Sequence, residues 1–240
     1  MQNIVSQGSL ILLNCGSSRG SHQGGGRRGV VRTFSRRSRH RLREKLHRLR
    51  WPSSILFLTL TVDPSFLPID LKYHLHRFLI GFLKKYNGWG TVWKLEFTQS
   101  GIPHFHILLI PPPDVKVPFV EHDELAKRWG LGFVWVERVF QNRVAAYLAK
   151  YVYKAGPYPG RQGGRWEAVS LDSSVIAETG SHVLPGRFWG LRGTLRWAPV
   201  RLGAPAWALR VALDVKRRVE ERLGIRLRGW LAVFLDRQVT

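Results

Sequence analysis

Two histidines, His104 and His106, stand two residues apart in an otherwise apolar stretch. Successive side chains of a strand point to opposite faces, so both imidazoles are predicted to lie on the same face of one strand. That spacing lets two imidazoles reach one metal ion. Paired histidines also occur in strands for packing or hydrogen bonding, so the pair alone leaves both interpretations open.

The neighbouring sequence favours a metal site. Residues 99–103 are typical of a turn and predict a hairpin in which residue 96 pairs with 106, which places Glu96 across from His106. The opposite face of that hairpin would be apolar, carrying Trp93, Leu95, Phe97, Phe105, Ile107 and Leu109. Two nitrogen ligands and one carboxylate leave positions for water or phosphate oxygens, which suits Mn²⁺ or Mg²⁺, with Zn²⁺ as an open alternative.

A third group of reactive side chains lies on a predicted helix over residues 142–154. Tyr147, Lys150, Tyr151 and Lys154 have offsets of 0, 3, 4 and 7 and form one stripe. A tyrosine hydroxyl is a weak nucleophile because its pKa is about 10, but a nearby ammonium and a metal-polarised phosphate lower the barrier to attack. The alternative is a surface stripe that binds nucleic acid without reacting.

The charge of the chain points to a polyanionic partner. Its 240 residues include 38 Lys and Arg against 16 Asp and Glu, a net charge of +22, and residues 19–50 alone carry +11. Nucleic acid is the leading candidate, ahead of an anionic membrane or a structural RNA. The arginines predicted to contact the DNA backbone are Arg36, Arg37, Arg39, Arg41, Arg43, Arg187 and Arg192. A solvated basic tail is the alternative for the N-terminal ones.

The order of predicted elements positions these side chains. Residues 55–61 read as a buried strand, and an apolar stripe from Leu71 to Tyr86 predicts a helix with Asp70 as its N-cap. Strands at 91–98 and 104–110, a helix at 121–129, a strand at 132–139 and the helix at 142–154 come next. This order predicts an α+β fold, a ferredoxin-like split βαβ antiparallel sheet with the catalytic helix after its last strand. Thr59 and Thr61 are expected to support the sheet.

Three regions are predicted along the chain. Residues 1–50 form a Gly/Ser/Arg-rich tail, largely disordered, whose end is a short basic helix with Leu42, Leu46 and Leu49 at helical spacing. Residues 51–155 form the catalytic domain. Residues 156–240 form an extension with a strand or loop at 187–197 and an amphipathic helix at 207–223 that is closed by Gly224.

The expected compartment is the host cytoplasm. A single cysteine, Cys15, cannot form an internal disulfide and fits a reducing environment. No apolar run approaches the roughly 18–20 residues of a membrane span, so no membrane partner is expected.

Three motifs together resemble the HUH endonuclease superfamily, and most closely the rolling-circle replication initiators of small circular phages and plasmids. They are Phe-Leu-Thr-Leu-Thr at 57–61, Glu96 with Pro-His-Phe-His-Ile-Leu at 103–108, and Tyr-Leu-Ala-Lys-Tyr-Val-Tyr-Lys at 147–154. The resemblance covers about residues 51–155. The segment from Arg187 to Arg192 also resembles the region C-terminal to the tyrosine motif in phage-type members.

The resemblance implies that His104, His106 and an acidic partner, matched less directly by Glu96, hold a divalent ion. Tyr147 or Tyr151 would attack single-stranded DNA at a replication origin, leaving a 5′-phosphotyrosine and a free 3′-OH for a host polymerase. In members with such a tyrosine pair the two can alternate, and which one cuts first stays open.

The same resemblance implies further roles. Lys150 and Lys154 would stabilise the attacking phenolate or the departing charge, and Tyr153, which lies off the stripe, would be structural. A host helicase would separate the strands. Two alternatives remain: a tyrosine transposase or relaxase with the same chemistry, and a non-catalytic module that binds single-stranded nucleic acid, whose sign would be stacking aromatics on the exposed sheet face.

Overall fold

A computed structural model describes residues 4–7, 10–15, 34–67, 69–98, 102–113, 115, 117, 120, 122–140, 187–227 and 230–235. These residues form two compact units. The five-stranded unit is drawn from residues 29–42 and 51–195, and the four-stranded unit from residues 1–28, 43–50 and 196–240. The predicted helix at 142–154, with its tyrosines and lysines, lies outside the described residues.

The five-stranded unit has the predicted order of elements. Its members are β3 (Ser54–Thr61), α2 (Leu71–Lys85), β4 (Gly90–Phe97), β5 (Pro103–Ile110), α3 (His122–Trp129), β6 (Val134–Phe140) and β7 (Trp189–Gly193). The sheet order is β6-β3-β5-β4-β7, and every neighbouring pair is antiparallel. The first four strands of that order have the ferredoxin-like arrangement, which confirms the predicted fold, and β7 extends it by one edge strand.

One face of this sheet, the helix face, packs against α2 and α3. Alternate residues of β3, Leu56, Leu58 and Leu60, join the apolar stripe of α2 and residues Leu125 and Trp129 of α3 in a single buried cluster. The apolar side predicted for the β4–β5 hairpin lies in this cluster, with Phe105 and Ile107 fully buried. We call the opposite face of the sheet the site face.

Local signals set the ends of the helices as predicted. The Asp70 carboxylate accepts hydrogen bonds from the backbone N–H groups of Lys72 and Tyr73, each at 3.0 Å, and so caps α2. On α3, the indole N–H of Trp129 donates to the carbonyl of Thr61 at 3.1 Å. This bond fixes α3 to the end of the strand that crosses the centre of the sheet.

The four-stranded unit joins the two ends of the chain. Its elements are β1 (Ile4–Gln7), β2 (Leu10–Asn14), β8 (Val200–Leu202), α4 (Ala206–Leu223) and β9 (Trp230–Phe234), and its antiparallel sheet has the order β8-β1-β2-β9. Ala208 and Ala212 of α4 pack with Ile11 and Val233. Helix α4 ends at Gly224, whose φ of +63° is the left-handed C-cap conformation that glycine favours.

Helix α1 (Arg36–Arg48) confirms the short basic helix predicted near residue 50, and it is longer than its leucine spacing indicated. Residues 36–42 belong to the five-stranded unit and residues 43–48 to the four-stranded unit. The description of residues 1–50 as a largely disordered tail therefore differs from the structure at 4–14 and 36–48. The reason is that β1 and β2 are stabilised by pairing with β8 and β9, which come about 190 residues or more later in the sequence.

Candidate metal centre

Three potential metal ligands converge on the site face. Glu96 of β4 and His104 and His106 of β5 each offer one ligand atom, and these atoms lie within 4.8 Å of one another. The Nε2 atoms of His104 and His106 lie 3.5 and 3.2 Å from the same carboxylate oxygen, Oε2 of Glu96. The alternation of β5 predicted that the two imidazoles share a face, and the structure confirms it.

The register of the hairpin differs from the predicted one. Glu96 pairs with His104, and the residue opposite His106 is Lys94. The turn is closed by Thr98, whose N–H donates to the carbonyl of Ile102 at 2.9 Å and whose hydroxyl accepts from the N–H of Ile102 at 3.0 Å. This closure shifts the pairing by two residues. Because two is the period of a strand, Glu96 stays on the predicted face.

The donor set fits a divalent cation. Adjacent oxygen or nitrogen ligands on an octahedral ion with bonds of about 2.1 Å lie about 3.0 Å apart. The carboxylate–imidazole separations of 3.2 and 3.5 Å are close to that value. Two imidazoles and one carboxylate occupy one side of such an ion and leave further positions for water or a phosphate oxygen.

Thr59 of β3 positions His106. Its Oγ1 lies 3.1 Å from Nδ1 of His106, and Phe57 stacks on the same imidazole with ring centroids 5.6 Å apart. A hydroxyl either donates or accepts, so Thr59 serves both tautomers of the ring. When Nδ1–H donates to Thr59, the lone pair of Nε2 is free to bind a cation. Thr59 was expected only to support the sheet, and its position opposite His106 was the signal for this second role.

His104 lacks the equivalent support. Its Nδ1 is buried and has no hydrogen-bond partner among the described residues. Thr61 pairs with His104 across the same two strands, as Thr59 pairs with His106. The two threonines are therefore matched in strand, face and neighbour, but only Thr59 has a hydrogen bond to its histidine ring.

Lys94 is a fourth charged member of the centre, and the site prediction omitted it. Its Nζ donates to Oε1 of Glu96, the carboxylate oxygen that does not face the histidines, and its side chain is only 4% exposed. The signal was present in the sequence, since Lys94 and Glu96 are two residues apart on one strand and share a face. Without a cation in the centre, Lys94 neutralises Glu96.

The electrostatics favour a charged Glu96 and a neutral His106. Burial opposes ionisation of Glu96, but hydrogen bonds from His104 and His106 and the charge of Lys94 outweigh it and lower the pKa of this carboxyl. Burial lowers the pKa of His106 below its usual value, although Glu96 acts in the opposite direction. Both shifts favour the protonation states that bind a cation.

The N-terminal half of α1 lies on the site face beside β7. Trp189 of β7 pairs with Lys94, and its indole N–H donates to Oγ of Ser38 at 2.8 Å. The ring of Phe34, just before the helix, lies 5.2 Å from Nζ of Lys94. Among the arginines predicted to bind DNA, Arg36, Arg37 and Arg41 are exposed and Arg39 is half-buried.

The other three arginines lie elsewhere. Arg192 pairs with Thr91 on the helix face, where its guanidinium lies 2.6 Å from Nδ1 of His76. Arg187 is exposed, and its carbonyl accepts a hydrogen bond from Lys72 of α2. Within the four-stranded unit, Arg43 lies 3.9 Å from the centroid of the Phe234 ring and is half-buried. The structure therefore groups only the arginines of the first part of α1 with the metal centre.

The predicted catalytic tyrosines, Tyr147 and Tyr151, and the lysines Lys150 and Lys154 lie outside the described residues. Within the described part of the chain, no helix is both long and apolar enough to cross a membrane.

Comparison with known proteins gives one match. Residues 55–156, which are less than half of the chain, match a model of the family described as replication-associated protein ORF2. No curated protein and no solved structure matches the chain significantly. The matched segment contains all three candidate ligands and both candidate tyrosines, and it supports a role in the initiation of DNA replication.

Proposed function

We propose that the protein initiates rolling-circle replication by nicking single-stranded origin DNA through a covalent tyrosine intermediate. The observation that carries the proposal is the convergence of His104, His106 and Glu96 on one face of a ferredoxin-like sheet, inside the segment that matches a replication-associated family. We take residues 51–155 as the catalytic domain.

In the proposed reaction, the hydroxyl of Tyr147 or Tyr151 attacks the scissile phosphorus. A bond forms between the tyrosine oxygen and phosphorus, and the bond from phosphorus to the 3′ oxygen breaks. The tyrosine loses its proton, and the departing 3′ oxygen gains one. The products are a 5′-phosphotyrosine and a free 3′-OH, which a host polymerase extends after a host helicase has separated the strands.

The residues of the centre would have distinct roles. A divalent ion, Mn²⁺ or Mg²⁺, would supply Lewis-acid polarisation of a non-bridging phosphate oxygen. His104, His106 and Glu96 would hold it, and Thr59 would orient His106 with Nε2 toward the ion. Lys150 and Lys154 would stabilise the attacking phenolate, and the exposed arginines of α1 would bind the DNA backbone.

The first experiment incubates the protein with end-labelled single-stranded DNA and Mn²⁺ and detects a covalent adduct on a denaturing gel. The double variant Tyr147→Phe with Tyr151→Phe is expected to form no adduct while still binding DNA. Tyr153→Phe is the matched control, because this residue lies in the same segment but off the tyrosine stripe. Mass mapping of the phosphotyrosyl peptide then identifies the nucleophile. An adduct that persists in the double variant refutes the tyrosine assignment.

The metal role is tested separately. His104→Ala and His106→Ala are each expected to abolish the dependence of cutting on Mn²⁺ together with cutting itself. Full activity of the unaltered protein in EDTA contradicts the metal role.

Two other functions remain to be compared. A tyrosine transposase or relaxase would use the same chemistry, but the family match favours replication. A non-catalytic module that binds single strands gains support from one observation: Trp135 of β6 is 54% exposed on the site face. Binding without any adduct in Mn²⁺ or Mg²⁺ would favour this second function.

A further inference from the structure

Two aromatic side chains lie uncovered beside the metal centre. Trp135 is 54% exposed and Phe133 is 60% exposed. Trp135 pairs with Thr59 on edge strand β6, and the N–H of Thr61 donates to the carbonyl of Phe133, which continues the same pairing. Both aromatics therefore project on the side of the sheet that carries Thr59 and the two histidines.

Their exposure is local to one end of the strand. Val139 points to the same face of β6 as Trp135, but it is only 1% exposed. Farther from the metal centre on this face, Ile55 and Leu108 are also fully buried. The chain thus covers the distant half of the site face and leaves the two aromatics bare at the end where the candidate ligands lie.

The pairing places the aromatics at a defined distance from the ligands. Trp135 neighbours Thr59, and Thr59 neighbours His106, so two strand spacings of about 4.8 Å separate the backbone of Trp135 from that of His106, about 10 Å in all. Phe133 and His104 are related in the same way through Thr61. Each aromatic is therefore level with one of the two histidines.

The surroundings indicate what these rings contact. A large exposed aromatic is unfavourable in water unless a ligand covers it, and every nucleobase has a flat face suited to stacking. The chain carries a net charge of +22, and exposed arginines of α1 lie across the centre, on the β7 side of the same face. Phosphate contacts on one side and stacking rings on the other are the two requirements of a single-strand groove.

We propose that Trp135 and Phe133 form a base-stacking subsite for single-stranded DNA that crosses the site face from the arginines of α1 to β6. The inference rests on the proposed function in one respect, that the scissile phosphate lies at the cluster of Glu96, His104 and His106. The bases next to that phosphate on the β6 side stack on the two rings. Stacking does not depend on base identity, so this subsite contributes affinity without sequence preference.

The test measures binding of a labelled oligothymidylate in EDTA, where no cutting occurs. Stacking on one ring is worth about 1–3 kcal/mol, so Trp135→Ala is expected to weaken binding about 5- to 150-fold, while Trp135→Phe retains most of the affinity. The matched control is Phe140→Ala. Phe140 is 57% exposed on the same strand, but it points to the opposite face, so its loss leaves binding unchanged.

Two further measurements separate stacking from other roles. The slope of log affinity against log salt stays unchanged in Trp135→Ala, because no phosphate contact is lost, whereas replacing exposed arginines of α1 reduces it. An oligothymidylate with one 5-iododeoxyuridine, irradiated in complex with the full chain, is expected to crosslink to the peptide that contains Trp135. Circular dichroism of each variant confirms that it is folded.

The inference is overturned if Trp135→Ala binds as tightly as Phe140→Ala, or if Trp135→Leu binds like the unaltered protein, since apolar bulk alone would then suffice. These outcomes are distinct from failure of the proposed function. Normal adduct formation with unchanged affinity in Trp135→Ala removes the subsite alone, and a large loss of affinity in a protein that forms no adduct retains the subsite but removes the nicking activity.

Discussion

The hydrogen bond between Thr59 and His106 makes the sharpest prediction about the metal centre. Thr59→Val keeps the size and shape of the side chain but removes the hydroxyl that lies 3.1 Å from Nδ1 of His106. The imidazole then loses the group that holds its Nε2 lone pair toward the candidate ion. Loss of such a supporting partner typically reduces metal affinity 10- to 100-fold, which corresponds to about 1.4–2.8 kcal/mol.

The structure supplies the matched control. Thr61→Val makes the same substitution two residues along the same strand, opposite His104, where no threonine–imidazole hydrogen bond is lost. This variant is expected to bind Mn²⁺ within about twofold of the unaltered protein. Thr59→Ser restores a hydroxyl and is expected to recover most of the lost affinity.

The assay is titration of Mn²⁺ into the metal-free protein, followed by calorimetry or by the loss of the free-ion paramagnetic resonance signal. Urea denaturation in EDTA accompanies it, since loss of one neutral hydrogen bond costs about 0.5–1.5 kcal/mol of folding stability. If Thr59→Val and Thr61→Val bind Mn²⁺ equally well, Thr59 does not position a metal ligand and the assigned geometry is refuted.

The remaining predictions concern two lysines. Lys94→Met is expected to destabilise the metal-free protein by about 1–3 kcal/mol, because it leaves Glu96 without its cation, and to increase the stabilisation gained on adding Mn²⁺; urea denaturation with and without the ion measures both, and equal effects in the exposed-pair control Lys85→Met contradict it. Burial lowers the pKa of Lys72 to about 7, despite the opposing charge of Asp70, so between pH 7 and 10.5 only the unfolded chain carries this proton and stability rises with pH. The rise is expected to be about 0.5–1 kcal/mol per pH unit, because this half-buried amine is partly screened by solvent, and Lys72→Met should abolish it in urea titrations at pH 7.5–9; an unchanged slope refutes the assignment.

The sequence alone determined the parts of the molecule that depend on local periodicity. The 3.6-residue repeat of apolar side chains located α2, and Asp70 marked its first turn. The two-residue alternation of β5 placed His104 and His106 on one face and the apolar residues on the other. These features depend on backbone geometry within one element, so distant parts of the chain do not alter them.

Tertiary structure alone decided which side chains face each other across strands. A shift of two residues leaves the alternation of a strand unchanged, so the sequence pattern could not distinguish Glu96 opposite His106 from Glu96 opposite His104. The roles of Lys94 and Thr59 depended on that register and on the place of β3 beside β5. Likewise, β1 is held by β8 and β2 by β9, through contacts that join the two ends of the chain and leave no periodic signal in either segment.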